Sequence, residues 1–323
     1  MKDEILNLLK QSNGYLSGEY LSNLFGVSRA AVWKSIKQLE KEGYVIFSKS
    51  KVGYQLVDIP DRLYPCELKP YLFSSILGNE IYYFDELDST NSYAKNLPDN
   101  FIKEGIVVLT EYQSKGRGRF NRHWVSPKYK GLYFSFILKP NISFDNIGHL
   151  TILFALAVCK TLEDHTKKTF EIKWPNDILY QGKKVCGILT EVNGEIDAIR
   201  HVIVGVGINV NSDIGDFDED IRHKATSLKI ITESKVDRIL LLSEIINNAD
   251  EYYASYSEDV DFMTILSEYK SKLSILNKEI HISIGSNLIK GTAIDIAHNG
   301  ALKIKLRDGN MREFISGEVS IIQ

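Results

Sequence analysis

The spacing of apolar residues changes its period twice along this chain of 323 residues. Up to about residue 60, apolar residues recur at helical spacing and then alternate in two short stretches. Strand-like and helix-like segments are mixed from residue 65 to about 270, and short alternating stretches with glycine turns follow from about 276. Because helices and strands need different periods, these changes divide the chain. We expect an α+β protein with domains at residues 1–60, 65–273 and 274–323.

The first segment predicts three helices and a two-stranded hairpin. Ser17 and Ser28 precede the second and third apolar stripes as N-caps. The second helix is expected to bury Tyr20, Leu21, Leu24 and Phe25, and the third Val32, Ile36 and Leu39. Alternation at 45–47 and 54–57 predicts the hairpin. Three helices and a hairpin indicate a winged helix-turn-helix.

The third helix and the hairpin are basic, although the whole chain carries a net charge of -3. Residues 28–53 contain six lysines and arginines against two glutamates. DNA phosphates require such a face. A helical protein-interaction module is the alternative, and Trp33 is equally well explained by packing at the domain edge. The expected DNA contacts come from Ser28, Arg29, Ala30, Trp33, Lys34, Lys37, Lys49 and Lys51.

A second basic region lies in the middle of the chain. Between Tyr112 and Phe144 there are seven lysines and arginines and no acidic residue. Within it, residues 115–124 alternate glycines with arginines, which predicts a flexible backbone that brings bidentate donors to an anion. A solvated basic loop and an RNA-binding segment are the alternatives.

Composition excludes several classes of protein. With 44% hydrophobic and 25% charged residues the chain is expected to be globular. The longest uncharged apolar stretches, 131–138 and 150–159, are too short to cross a bilayer. We expect no export, because the N-terminal residues show neither an apolar stretch nor a small-residue cleavage site. Three separated cysteines predict neither a disulfide framework nor a zinc site. We expect a cytoplasmic protein without membrane partners.

Five blocks occur in the order seen in biotin protein ligases: residues 89–91 with Gln113, the loop 115–124, and the stretches 173–177, 184–189 and 205–209. With the N-terminal winged helix and the C-terminal strands, the chain resembles the bifunctional bacterial biotin ligases that also repress the biotin operon. The resemblance covers almost the whole sequence.

The resemblance implies a central mixed-sheet domain like that of class II synthetases and a small SH3-like C-terminal β-barrel. It implies that biotin and ATP, with Mg²⁺, form biotinyl-5'-AMP, and that biotin then passes to a lysine of a biotin carboxyl carrier domain. It also implies repression at operator DNA by the adenylate-bound form. Because such repressors use paired half-sites, we expect a homodimer through the central domain, supported by Phe120.

The resemblance also assigns residues to roles. The catalytic candidates are Lys184, Arg119, Arg122 and Asp177. Biotin would contact Ser89, Thr90, Asn91, Gln113, Gly116, Arg117, Gly118, Arg119, Lys184, Gly187, Leu189 and Gly205. The adenylate would contact Arg122, Trp124, Lys173, Asn176 and Asn209. No metal site is expected from the protein alone, and Mg²⁺ would enter with ATP near Asp177.

Three positions depart from the family pattern. Asn121 replaces a glycine and is expected to keep a left-handed turn. Ala225 stands where some relatives place an aromatic beside adenine, and Ile322 stands where an arginine can contact ATP.

Three other functions remain open: a lipoate-type ligase, a non-enzymatic effector-binding regulator, and a ligase whose N-terminal domain is vestigial.

Overall fold

The computed structural model describes residues 1–195, 198–257, 262–285 and 287–322. The chain divides into two compact units, residues 1–62 and 63–323. None of the helices in the described ranges combines the length and apolar character that crossing a membrane requires.

The first unit has the predicted order of helices and hairpin. Its elements are α1 (Lys2–Gln11), α2 (Gly18–Phe25), α3 (Arg29–Lys41), β1 (Val45–Lys49) and β2 (Gly53–Asp58). The hydroxyls of Ser17 and Ser28 accept backbone N–H groups at the starts of α2 and α3, as predicted. Val32, Ile36 and Leu39 are fully buried, and β1 pairs with β2 in antiparallel fashion.

The predicted burial of α2 is partly wrong. Leu21 is fully buried, but Tyr20 and Leu24 are 50% and 52% exposed. These two residues lie four positions apart on one face of the helix, about 60° to 100° around the axis from Leu21, which points into the unit's core. Because α2 has only eight residues, a single turn of it reaches the core. Fewer of its apolar side chains are therefore buried than the sequence pattern predicted.

The second unit contains a mixed sheet in the order β3-β4-β5-β9-β8-β7-β6. Only β3 and β4 are paired in parallel among the described strands; the other neighbours are antiparallel. The strands are β3 (Ile81–Phe84), β4 (Ile106–Thr110), β5 (Gly131–Leu138), β6 (Glu171–Lys173), β7 (Asp177–Tyr180), β8 (Lys183–Glu195) and β9 (Ala198–Asn209).

Helices cover the two faces of this sheet differently. Even-numbered residues of β5 and β9, such as Phe134 and Val204, belong to the main core together with α6 and α8. Odd-numbered residues, such as Ile137 and Ile203, pack on the short helix α5. The helices are α4 (Pro65–Leu68), α5 (Thr90–Lys95), α6 (Ile147–Thr166), α7 (Leu228–Thr232), α8 (Arg238–Ser257) and α9 (Phe262–Lys272).

The C-terminal residues form an antiparallel β-sheet in the order β13-β12-β11-β10-β14. Apolar side chains from this sheet, including Ile282 and Ile304, join the main core of the second unit. The prediction of short strands here is confirmed; the SH3-like barrel stays a prediction. The strands are β10 (Glu279–Ile284), β11 (Asn287–Ile296), β12 (Leu302–Leu306), β13 (Met311–Phe314) and β14 (Glu318–Ile321).

A fully buried ion pair fixes the end of β4 to the start of α8. Arg238 Nη1 donates to Glu111 Oε2 at 2.7 Å and to the carbonyl of Gly131 at 3.1 Å. The other carboxylate oxygen accepts the backbone N–H of Leu63 at 2.8 Å, where the second unit begins. Both charged side chains are 0% exposed. Each charge has lost its hydration on burial, and the interaction with the opposite charge compensates for that loss.

We expect Arg238→Met to lower the free energy of unfolding of the second unit by about 3 to 5 kcal/mol, because it leaves the Glu111 carboxylate buried without its cation. Lys272→Met, which breaks the partly exposed pair with Glu163, should cost no more than about 1 kcal/mol. Urea unfolding followed by the fluorescence of buried Trp174 measures both changes. Equal effects would show that burial of the Arg238 pair does not matter.

Candidate active site

Glycines on β8 and β9 open a cavity on the sheet face opposite α6 and α8. A Cβ atom at Gly205 would lie 2.0 Å from Asn91 Oδ1, and one at Gly207 would lie 2.6 Å from Trp124 Cε2. A Cβ at Gly187 would lie 3.0 Å from the end of Lys184. The approaches at Gly205 and Gly207 are possible only without side chains at these positions. The resulting cavity holds about 430 Å³, which is the size of a small-molecule site.

The structure brings nearly all of the predicted ligase residues to this cavity. Gly116 is the exception: a Cβ there would lie 2.4 Å from the carbonyl oxygen of Trp124, which places Gly116 behind the cavity wall. The predicted residues that line the cavity are Ser89, Thr90, Asn91, Gln113, Arg117, Gly118, Arg119, Arg122, Trp124, Lys173, Asn176, Asp177, Lys184, Gly187, Leu189, Gly205 and Asn209.

One end of the cavity is polar and closely hydrogen-bonded. Ser89 caps α5, which presents Thr90 and Asn91 to the cavity. The Thr90 N–H donates to Gln113 Oε1 at 2.9 Å. Ser135 Oγ on β5 lies 2.7 Å from both Thr90 Oγ1 and Asn91 Oδ1. This network holds the polar groups in fixed positions.

Sequence reasoning missed Ser135 and Glu191. Asn91 Nδ2 donates to Glu191 Oε2 at 2.7 Å, and Arg117 Nη2 donates to the same oxygen at 3.1 Å. The alternation of side chains along a strand could have indicated both residues. Ser135 is a small polar residue within an otherwise apolar strand, and Glu191 lies on the same face of β8 as Gly187 and Leu189.

The basic loop closes one side of the cavity. Asn121 has φ 56°, which confirms the expected left-handed turn, and Phe120 shares that backbone conformation. Arg119 Nη1 donates to Asn176 Oδ1 at 3.2 Å and to the carbonyl of Gly317 at 3.3 Å. Burial lowers the pKa of the Arg119 guanidinium, while Asp177 opposes that shift. The loop therefore carries a partly desolvated cation at the cavity.

The C-terminal sheet also reaches the cavity. Arg122 Nη1 donates to Glu318 Oε1 at 2.7 Å, and the other guanidinium nitrogen pairs with the second carboxylate oxygen. This hydrogen bonding raises the pKa of Arg122 and lowers that of Glu318. Gly317 and Val319 also line the cavity, whereas Ile322 is not among its lining residues. Glu318 is a contact that the sequence analysis did not predict.

The remaining catalytic candidates form an ion pair. Lys184 Nζ lies 2.6 Å from Asp177 Oδ1 and 5.1 Å from the Trp124 ring centroid. The Lys184 backbone also pairs with the segment that carries Ala225, since the Lys184 N–H donates to the carbonyl of Lys224 at 2.7 Å. Ala225 lines the cavity without the aromatic that some relatives have.

Carboxyl, thiol and imidazole groups do not cluster into a metal site in the described ranges. The cavity has instead a cationic wall, with Arg119, Arg122 and Lys184, next to a hydrogen-bonding end. Such a wall suits a ligand that carries phosphate or carboxylate groups.

Known proteins share both the sequence and this architecture. Residues 83–209 match the biotin/lipoate A/B protein ligase family, residues 2–55 match an HTH domain, and residues 275–321 match the biotin protein ligase C-terminal domain. The bifunctional ligase/repressor BirA of Bacillus subtilis is 33% identical over 99% of this chain and 98% of its own length. The chain belongs to this ligase/repressor family.

Other members of the family agree with the assignment. BirA of Escherichia coli is 26% identical over 99% of this chain and 98% of its own length. The structure of the Aquifex aeolicus biotin protein ligase in complex with biotin and ATP matches with a TM-score of 0.66 and 33% identity. That match covers 76% of this chain and 99% of the Aquifex chain.

We expect Gly207→Ala to displace the Trp124 ring, because the new methyl group would overlap it. In a Trp33→Phe background, which removes an exposed indole, tryptophan emission should shift to longer wavelength, and the protein should lose about 1 to 3 kcal/mol of stability. Gly215→Ala, whose Cβ would meet nothing within 4 Å, is the matched control. Unchanged emission in Gly207→Ala would contradict the packing of Trp124 on β9.

Proposed function

We propose that this protein is a biotin protein ligase that also represses transcription when it carries biotinyl-5'-AMP. The observation that supports this proposal best is one cavity that joins a hydrogen-bonding polar end to a wall containing Arg119, Arg122 and Lys184. The same chain also carries a basic helix-turn-helix. The two substrates would bind side by side in this cavity, with their reacting groups at the cations.

Biotin has a ureido ring, an apolar body and a carboxylate tail. The ureido ring would occupy the polar end at Ser89, Thr90 and Gln113, because these residues supply both donors and acceptors. The apolar body would pack on Leu189 and on the glycine backbone of β8 and β9. This placement directs the biotin carboxylate toward Lys184 and Arg119.

The first reaction joins two anions, because the biotin carboxylate attacks the α-phosphate of ATP and pyrophosphate leaves. Two unit charges 4 Å apart repel by about 4 kcal/mol at an effective dielectric of 20. Lys184, Arg119 and Arg122 would offset this repulsion and stabilise the charge that develops at the phosphate. Mg²⁺ bound to ATP would share the phosphate charge near Asp177. Lys173, Trp124, Asn176 and Asn209 would contact the adenylate.

The second reaction needs an uncharged acceptor amine. With an ordinary pKa near 10.4, about four lysines in ten thousand are neutral at pH 7. Asp177, one of the carboxylates at the cavity, would accept the proton or orient the amine of a biotin carboxyl carrier domain. The amine then attacks the carbonyl of the mixed anhydride, an amide forms, and AMP leaves.

We expect Lys184→Ala to slow pyrophosphate release from biotin and ATP-Mg²⁺ by about 100-fold or more, because it removes a cation at the reacting phosphate. Lys183→Ala, an exposed neighbour on the same strand, should keep the normal rate. Intact mass of a carrier domain, with biotin or lipoate offered separately, measures transfer and specificity.

Each outcome of that assay separates the candidate functions. Transfer of lipoate in place of biotin would support the lipoate-type ligase. Effector binding without pyrophosphate release would support the non-enzymatic regulator. A wild-type rate in Lys184→Ala would overturn the electrostatic role of this lysine.

The repressor function rests on the first unit. Arg29, Trp33, Lys34 and Lys37 of α3 are exposed, and Lys49 and Lys51 on the hairpin are exposed as well. Ser28 holds the N-terminal cap and Ala30 is exposed in the first turn. These residues would contact the phosphates and base edges of operator DNA. The exposed Phe120 supports a homodimer that forms when the adenylate orders its loop.

We expect Lys34→Ala/Lys37→Ala to weaken DNA binding and to reduce the slope of log affinity against log salt by about 1.8, because two phosphate contacts are lost. Lys69→Ala, an exposed lysine of the second unit, should leave the slope unchanged. DNA selected from a random pool by the adenylate-bound wild type is the probe. Sedimentation of the same samples tests the dimer, and an adenylate-bound monomer that binds this DNA would contradict it.

The domain boundaries and the location are parts of the same proposal. The family matches at 2–55, 83–209 and 275–321 support three domains at 1–60, 65–273 and 274–323, with a C-terminal SH3-like barrel. Cys159 and Cys186 are buried free thiols, which supports a cytoplasmic location.

A further inference from the structure

The carboxylate of Glu191 lies at the start of a continuous chain of hydrogen bonds behind the polar end of the cavity. Its two oxygens lie 3.1 and 3.4 Å from Arg117 Nη2, and one of them lies 2.7 Å from Asn91 Nδ2. Asn91 Nδ2 also donates to the carbonyl of Leu189 at 3.2 Å. The Glu191 carboxylate oxygen and the Leu189 carbonyl oxygen can only accept hydrogen bonds. The Asn91 NH₂ group must therefore point toward them, and this fixes the orientation of the Asn91 amide.

That orientation determines the direction of the next hydrogen bonds. Asn91 Oδ1 can only accept, so the single proton of Ser135 Oγ is donated to it over 2.7 Å. The 2.7 Å contact between Ser135 Oγ and Thr90 Oγ1 must then use the proton of Thr90. The longer 3.4 Å contact from Thr90 Oγ1 to Gln113 needs no hydroxyl proton, because Gln113 Oε1 already accepts the Thr90 N–H at 2.9 Å.

Thr90 therefore presents only lone pairs to the cavity that it lines. A ligand N–H group that faces the Thr90 hydroxyl can donate a hydrogen bond to it. A ligand acceptor in the same place would set its own lone pairs against those of Thr90, with no proton between the two atoms. We propose that Glu191 is a positioning residue that acts through Asn91 and Ser135 to make Thr90 an acceptor, and thereby selects a ring N–H of the ligand. This inference rests on the proposed function, in which that group is a ureido N–H of biotin.

The change Glu191→Gln tests the direction of the hydrogen bonds between Glu191 and Thr90. Glutamine has one side-chain oxygen, for which Arg117 and Asn91 would compete, and its NH₂ group can donate to a reversed Asn91 amide. In the reversed chain Ser135 donates to Thr90, and the Thr90 proton becomes free to enter the cavity. The selectivity between an N–H and an oxygen at this position should then fall.

The experiment compares dissociation constants for biotin and for two cyclic carbamate analogues, each with one ureido N–H replaced by oxygen. The wild type should bind one of the two analogues about tenfold more weakly than biotin, the upper range for one hydrogen bond. In Glu191→Gln this ratio should fall to about two, chiefly because biotin binds more weakly, while the dissociation constant for ATP stays unchanged.

Three further variants separate positioning from damage to the fold. Glu191→Asp keeps an acceptor-only group, so the ratio should be retained even if both ligands bind more weakly. Ser135→Ala removes the relay and should lower the ratio as Glu191→Gln does, with no further loss in the double variant. Glu163→Gln is the matched control, because Glu163 is 22% exposed where Glu191 is 23% exposed and pairs with Lys272.

Two results would overturn the proposed role of Glu191. One is a wild-type ratio in Glu191→Gln. The other is a ratio that is lost in Glu191→Asp but stays normal in Ser135→Ala. Failure of the wild type to bind biotin at all would instead overturn the proposed function, and this inference with it. The two failures are therefore distinguishable in the same titrations.

Discussion

The two faces of the seven-stranded sheet carry different residues, and the site depends on that difference. On one face Phe134, Val204 and their even-numbered neighbours pack under α6 and α8 into the main core. On the other face Gly205 and Gly207 leave room where β9 meets α5 and the basic loop. The large core holds the strands rigidly, so that the opposite face can give up side-chain packing and form a cavity.

Each of the three cations best placed to meet an anionic ligand has a carboxylate or carbonyl partner within the protein. Lys184 pairs with Asp177, Arg122 with Glu318, and Arg119 donates to a carbonyl oxygen. Exposed or half-buried pairs of this kind contribute at most about 1 kcal/mol. A phosphate can therefore replace these partners at low cost, whereas the buried pair of Arg238 and Glu111 is suited to a structural role.

Much of the fold follows from local patterns. The caps at Ser17 and Ser28, the buried stripe of α3 and the C-terminal strands were all predictable, because capping and periodicity act over a few residues. The exposure of Tyr20 was not, because only the packing of neighbouring helices decides which part of an apolar stripe is covered. Gly116 was assigned to the ligand by its motif, yet Trp124 stands where its side chain would point.

The order of the three matched regions, the two basic regions and most of the predicted residues that line the cavity can be read from the sequence, because motifs and charges are local properties of the chain. The ion pair of Arg122 with Glu318, 196 positions apart, and the place of Glu191 between Arg117 and Asn91 follow from the folded arrangement of the chain. Such contacts have no local signal, because strand pairing brings together residues whose separation along the chain is unrelated to their distance in space.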